Sequence, residues 1–461
     1  MVSQLPGVKF DLNLIKKYDT PTPRYTSYPA ATELRESFTE QDFKDAIALS
    51  NARKTPLSLY FHIPFCLSAC YYCGCNIVVS GNKNIAIPYV EYLTRDIEQT
   101  AKLIDTRDRP VVQIHWGGGT PNYLSTGQIE YIWKRIASNF KIDTNAEVSI
   151  EINPREISRD YIFFLRELGF NRISFGLQDF DPQVQVAVNR IQPEDMLFSV
   201  MGWIREAEFE SVNVDLIYGL PHQNLKTFKQ TIQKTIELDP DRIAVFNFAY
   251  VPWVKPVQKN INQNALPAPS EKLEILKMTI EELTSSKYLF IGMDHFAKPN
   301  DELAIAQREN ALKRNFQGYT THQEAELFGF GATSVSMLQE AYAQNHKQLK
   351  DYYQAIEAGH LPTYKGYKLT WDDMLRRDVV MTIMSGMQVN KQEIEHKYNI
   401  VFDEYFAQEV QQLHLLEDDG LVNLSKQDIE VTETGRLLVR NIAVIFDAHK
   451  ATRERKLSRA I

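Results

Sequence analysis

Cysteine is scarce in this chain, and all four of its 461 residues' cysteines stand in one ten-residue window: Cys66, Cys70, Cys73 and Cys75. That clustering excludes the usual fate of cysteine as an inert small core residue, which would scatter it along the chain. Disulfides fit no better. The opening stretch from Met1 to Leu12 is mixed in polarity, with no charged segment leading into an apolar one, so a reducing, cytoplasmic setting is expected. No apolar run approaches the roughly 18 residues of a membrane span. Positive charge is also in deficit: the net charge of -8 and pI near 5.8 argue against nucleic acid, whose phosphates need concentrated Lys and Arg. An anionic substrate would have to find local cations. Internal repeats and low-complexity segments are absent as well.

What is present is a chain that is 44% hydrophobic, enough for one domain of about 250 to 300 residues and a smaller one. The cysteines sit in a C-x3-C-x2-C loop, with Cys75 two residues beyond. Three such thiols reach three corners of a cubane iron-sulfur cluster and leave one iron open; four would close it. The spacing alone permits both. Zinc is the weaker alternative, because structural zinc sites draw ligand pairs from two separated segments and one short loop would be cramped.

A strand should deliver the loop, since Leu57, Leu59, Phe61 and Ile63 alternate with Ser58, Tyr60 and His62. A helix over roughly 89–103 follows, then a strand from Val111 that runs into Gly117, Gly118 and Gly119. No GK[ST] follows them, so they are not a phosphate loop. They suit a tight turn or the close approach of a ligand to backbone amides. Ser125 and Gln128 have the spacing of a capping box. The alternation continues with strands near 147–154, 172–180, 212, 242 and 288, separated by amphipathic windows at 159–168, 196–206 and 225–238. This is a parallel α/β pattern. Six strand-helix units from 57 to about 250, with an extra strand near 290, fall short of the eight of a closed barrel. A doubly wound open sheet is the other arrangement that periodicity allows. Residues 1–54 form an N-terminal arm containing an extended, proline-punctuated segment from Pro23 to Pro29. After about 358 the pattern becomes helices followed by a small sheet, winged-helix-like, so the expected divisions are 1–54, 55–358 and 359–461.

The cysteine loop after a strand resembles the radical S-adenosylmethionine (SAM) enzymes. The longer strings are more particular. Tyr60 to Cys66 (TyrPheHisIleProPheCys), Cys70 to Asn76 (CysTyrTyrCysGlyCysAsn), Arg24 to Pro29 (ArgTyrThrSerTyrPro), and the segments 291–299 and 315–321 resemble the oxygen-independent coproporphyrinogen III oxidases of haem biosynthesis.

That resemblance implies an α/β fold, a partial, open (β/α)6 TIM-type barrel with an N-terminal arm and a small mostly helical C-terminal domain. It implies a [4Fe-4S] cluster on Cys66, Cys70 and Cys73, and SAM at its open iron against Tyr60, Gly118, Glu151 and Val335. It places a second SAM against Tyr72, Gly119, Thr120, Gln178, Arg190, Asp215 and Ala249, and Arg24 on the substrate side. No conventional catalytic acid or base is assigned. The substrate would be coproporphyrinogen III, whose two propionates become vinyl groups of protoporphyrinogen IX, with a one-electron donor such as flavodoxin or ferredoxin and a monomeric, cytoplasmic protein. A haem-binding chaperone of the same superfamily and a radical SAM methyltransferase acting on a tetrapyrrole are the rival outcomes. Cys75 marks the oxidase branch and is not an iron ligand. A Cys75→Ser protein is therefore expected to keep its [4Fe-4S] cluster by iron and sulfide analysis; loss of the cluster would show that Cys75 holds iron.

Overall fold

Alternation from residue 57 produces a strand, β1 (Leu57–Ile63), but both of its faces are covered. One carries Leu59 and Phe61 into an aromatic core, with the Phe61 ring 5.4 Å from Trp116 and 5.1 Å from Phe330. The other turns its polar side chains toward polar partners, as in the Ser58 Oγ to Gln113 Oε1 hydrogen bond of 2.8 Å. In the computed structural model, which describes residues 7–18, 20–322 and 324–450, the same device is repeated along the chain. The outermost stretches 1–6 and 451–461 of the expected N- and C-terminal divisions lie outside the described residues.

The chain forms two compact units that do not follow linear order: 34–278 with 324–368, and 1–33 with 279–323 and 369–461. In the first, β1 is followed by β2 (Val111–Gly118), β3 (Ile142–Ile152), β4 (Arg172–Gln178), β5 (Ser211–Tyr218) and β6 (Arg242–Asn247). They pair in parallel and in chain order. This monotonic order is that of a barrel wound in one direction; a doubly wound sheet would reverse about its first strand. Helices Ala86–Ala101, Thr126–Asn139, Arg159–Leu168, Glu194–Glu206 and Leu225–Leu238 are the crossovers. Ser125 starts one of them with the expected capping box: its hydroxyl accepts from Gln128 N–H at 3.3 Å and Gln128 Oε1 accepts from Ser125 N–H at 3.0 Å.

On the other side of β1 the sheet continues as β7 (Glu326–Phe330), parallel to it, and then β8 (Val335–Met337), β9 (Ala341–Asn345) and β10 (Thr363–Lys368), antiparallel. Sequence patterning expects only a glycine-rich turn here, because the strands are short and interrupted by Gly329 and Gly331. The arm also holds a helix without a sequence-level expectation, Glu40–Arg53, capped by Thr39 and Asp42.

In the second unit, helix Trp371–Gly386, capped by Thr370, buries Leu375, Val379 and Ile383 against Leu413, Ile429 and Ile442. Gln388–Asn390, Val422–Leu424 and Asp428–Val431 form its three-stranded sheet. The strand near 290, Leu289–Gly292, belongs to a hairpin of this unit with His295–Ala297. After Glu433 the chain forms a broken run, Gly435–Leu438, Val439–Ala443 and Val444–Phe446, rather than one continuous helix. Its buried Arg440 and Asn441 bond to backbone carbonyls of Pro23 and Tyr18, which holds the segment to the N-terminal residues.

A charged knot ties the N-terminal ends of β1, β2 and β7. The fully buried Arg109 side chain meets Glu326 at 2.8 Å and also donates to Thr55 O and Ser50 Oγ. In barrel folds this end serves stability. Removing one member strands a buried charge. Glu326→Leu is expected to cost about 3–5 kcal/mol of stability, read as a fall in the urea midpoint.

Candidate active site

Cys66, Gly118 and Gln178 lie at or just beyond the C-terminal ends of β1, β2 and β4, as expected of a barrel. After Ile63 the chain makes a two-residue strand, Phe65–Cys66, paired with Val78–Val79, and the cysteine loop lies between them. All four cysteines are free thiols. Cys66 Sγ lies 3.3 Å from Thr120 Oγ1, Cys70 Sγ accepts from Arg190 Nη1 at 3.4 Å, and Cys73 Sγ accepts from Cys75 N–H at 3.4 Å. Burial pushes the Cys66 thiol up to about 11. Cys73 is held down at about 6, first by a hydrogen bond from the Cys75 side chain and then by the Cys75 N–H, Lys255 and Arg190, against burial. Cys75 is the exposed member.

Among the described residues no three His, Cys, Asp or Glu side chains converge as they would on one metal ion. A cubane does not ask for convergence, because each cysteine binds a different iron. Three thiols on one loop, with the Arg190 guanidinium 3.4 Å from Cys70 Sγ, fit that group.

The glycine run is pressed between the loop and β3. A Cβ on Gly117 would lie 2.9 Å from Glu151 Oε2, one on Gly118 2.5 Å from the His62 ring, and one on Gly119 2.8 Å from Phe65 O. Gly118, at φ +111°, donates its N–H to Glu151 Oε2 at 3.2 Å. Glu151 sits on a central strand, yet its side chain is 45% accessible. Burial raises this carboxyl, but His115, 3.5 Å away, and the Gly118 N–H together hold it below the ordinary range. Tyr60 stacks on His115 with centroids 5.9 Å apart, and a 3.0 Å hydrogen bond joins its hydroxyl to His62 Nδ1. Burial lowers His62 to about 4, so it is neutral at pH 7. Tyr60 is in register with Gly329, where a Cβ would lie 2.8 Å from Val335 O. Tyr60, Gly118, Glu151 and Val335 thus come from four separate strands to one region.

The second set gathers beside it. Arg190 bonds Cys70 through Nη1 and Gly176 O through Nη2 at 2.8 Å, and the Tyr72 hydroxyl also bonds Cys70. Gln178 ends β4 at φ +70°, a strained region for a side-chain-bearing residue, and Gly176 leaves room for its amide. Gln258, which sequence reasoning misses, donates to both Tyr72 O and Ala249 O at 3.3 Å and so joins these distant positions. Among the described residues Gln178 Oε1, Arg190 Nε and Asn247 Oδ1 are buried without partners, which suits a polar ligand. Asp215 accepts from Asn213 at 2.9 Å; burial, with Glu151 adding to it, lifts it to about 7 against Asn213, Arg190 and His115. His115 and His62 were also missed as site residues, although their place on alternating polar faces was a readable signal. Arg24 belongs to the other unit, where its guanidinium pairs with Asp294.

Residues 60–235 match the Radical SAM superfamily model and 369–438 the HemN C-terminal domain model. With the open parallel barrel and three-cysteine loop, this places the chain in the class of radical SAM proteins, for which a [4Fe-4S] cluster and SAM are the implied cofactors. An oxygen-independent coproporphyrinogen III oxidase of Synechocystis is 56% identical over 100% of both chains, and that of Escherichia coli 46% identical over 98% of this chain and 99% of its own. A solved structure of the Escherichia coli coproporphyrinogen III oxidase, described as a radical SAM enzyme, superposes with a TM-score of 0.92 at 46% identity, covering 96% of this chain and 99% of that one. The chain belongs to the oxygen-independent coproporphyrinogen III oxidase family.

Asp215 gives the site a pH signature. With a folded value near 7 against an ordinary 3.8, the folded state keeps a proton that the unfolded chain has lost. Its contribution to stability therefore falls as pH rises through that window. Asp215→Asn, which cannot ionise, is expected to gain in melting temperature relative to the parent between about pH 5 and pH 8, as read by scanning fluorimetry; a constant difference would contradict this.

Proposed function

We propose that this protein oxidises coproporphyrinogen III without oxygen, converting two propionate side chains to vinyl groups with loss of two carbon dioxide molecules to give protoporphyrinogen IX. The observation that carries the reading is the cysteine loop set beside Tyr60, Gly118 and Glu151 at the strand ends, in a chain 56% identical along its full length to an enzyme of that name. When bound, a cluster held by Cys66, Cys70 and Cys73 together with SAM would supply the radical chemistry that removes hydrogen from a propionate β-carbon, and each loss of carbon dioxide would pass one electron to an external one-electron acceptor.

This chain's part is to bind, orient and exclude water. Cys66, Cys70 and Cys73 hold the cluster. Glu151, ionised, would hold the SAM on the cluster together with the Gly118 backbone, Tyr60 and Val335, and neutral His62 fixes Tyr60 without adding charge. Tyr72, Gly119, Thr120, Gln178, Arg190, Asp215 and Ala249 hold a second SAM, the unpartnered buried polar atoms at Gln178 and Arg190 supporting that count. Arg24 works on the substrate side. The functional segments are an arm over 1–54, the catalytic barrel over 55–358 and a C-terminal domain over 359–461. The protein acts as a cytoplasmic monomer, reduced by flavodoxin or ferredoxin. No described helix is long and apolar enough to cross a membrane.

Anaerobically reconstituted protein with reductant, SAM and coproporphyrinogen III is expected to remove two carboxyl groups per substrate by mass spectrometry, with two SAM bound per chain at equilibrium. Tight haem binding without decarboxylation, or a gained methyl group, would overturn the activity; one SAM per chain would remove the second site alone.

A further inference from the structure

In the unit built from 1–33, 279–323 and 369–461, a small hairpin pairs Lys313–Asn315 with Gly318–Thr320. Arg314 and Tyr319 stand opposite each other across it, the guanidinium 4.7 Å from the ring centroid. Arg314 is only 7% exposed, yet its Nε and Nη1 have no partner, and no carboxylate pairs with it among the described residues. In the turn of the same hairpin the buried Gln317 Nε2 is also unpartnered.

A buried guanidinium without a counter-charge is costly, so it persists where a ligand completes it. The three unpartnered side-chain atoms of this hairpin are all N–H donors. A cation would be repelled, and an acceptor-only anion would satisfy all three. The surrounding charge points the same way. Arg24 and Arg436 also act on Tyr319. Arg24 is neutralised by Asp294, and Glu433 acts on Arg436, which leaves Arg314 as the uncompensated charge. Tyr319 is held in place by donating its hydroxyl to Met384 O at 3.2 Å, and so presents a fixed ring beneath the guanidinium.

We propose that the hairpin over 313–320 is a carboxylate subsite in which Arg314 and Gln317 take one propionate of the tetrapyrrole. The proposal rests on the substrate reading above. Planar guanidinium is the side chain suited to carboxylate, and its hydrogen bonds to a charged acceptor are among the strong ones. The subsite supplies the local cation that an acidic chain must provide for a tetracarboxylate substrate.

The test is equilibrium binding of coproporphyrin III, the non-reacting oxidised tetracarboxylate, to the full chain by fluorescence, with mesoporphyrin, which has two propionates, as comparison. Arg314→Met is expected to raise the coproporphyrin Kd by about 10- to 100-fold, Gln317→Ala by a smaller factor, and Arg314→Lys to recover only part. SAM binding should not change. The melting temperature of the Arg314→Met protein without porphyrin should hold or rise, because an unpaired buried charge has been removed; a guanidinium serving structure alone would lower it. Unchanged coproporphyrin affinity in Arg314→Met, with the parent still decarboxylating coproporphyrinogen, overturns the subsite and leaves the activity standing. A parent protein that neither binds coproporphyrin nor releases carbon dioxide overturns both.

Discussion

The site depends on a close backbone approach. Gly119 donates its N–H to Ile63 O at 2.8 Å, so the end of β2 lies directly against the point where β1 becomes the cysteine loop. No side chain is tolerated there, since every Cβ added along Gly117 to Gly119 would fall within 3.0 Å of Glu151, His62 or the loop backbone. What the glycines give up in chain stiffness is returned as position. The loop carrying three thiols, the Glu151 carboxylate and the Tyr60 ring are all located relative to one another by that contact.

Around it, three buried arginines show how an acidic chain uses its cations. Arg109 is fully paired with Glu326 at the N-terminal strand ends and contributes to stability. Arg190 sits at the opposite ends, where its guanidinium donates to Cys70 Sγ and Gly176 O and so ties the cysteine loop to the end of β4. Among the described residues Arg314 has no carboxylate partner, which is the observation the proposed subsite rests on. The carboxylates divide in the same manner. Glu151 stays ionised because His115 and the Gly118 N–H outweigh its burial, and Asp215, with Glu151 adding to its burial, is pushed toward neutrality. Two carboxyl groups on neighbouring parts of one sheet thereby hold different charge at one pH.

Much of this was legible beforehand. The period-two alternation of Leu57 to Ile63 and its successors identified the parallel strands, and the helical windows at 159–168 and 225–238 coincide with helices. The three-cysteine motif was legible because Cys66, Cys70 and Cys73 lie within eight residues on one loop. Less readable were β7 to β10, whose short, glycine-broken runs carry too little periodicity to outweigh a turn reading, and the broken segment after Glu433, where buried Arg440 and Asn441 answer to distant carbonyls.

By itself the sequence determined the chemistry that local spacing can express: a three-thiol loop, a glycine turn without a phosphate-loop signature, capped crossover helices, and too little positive charge for nucleic acid. Only the tertiary structure decided which polar residues share a surroundings. His115 meets Tyr60 and Glu151 because adjacent parallel strands place Tyr60 beside His115 and His115 beside Ser149; Gln258 joins Tyr72 to Ala249 across 177 positions of chain, from 72 to 249. It also decided which of the arginines are satisfied. Partnership between residues far apart in sequence follows from register and packing, and neither is written in any short window of residues.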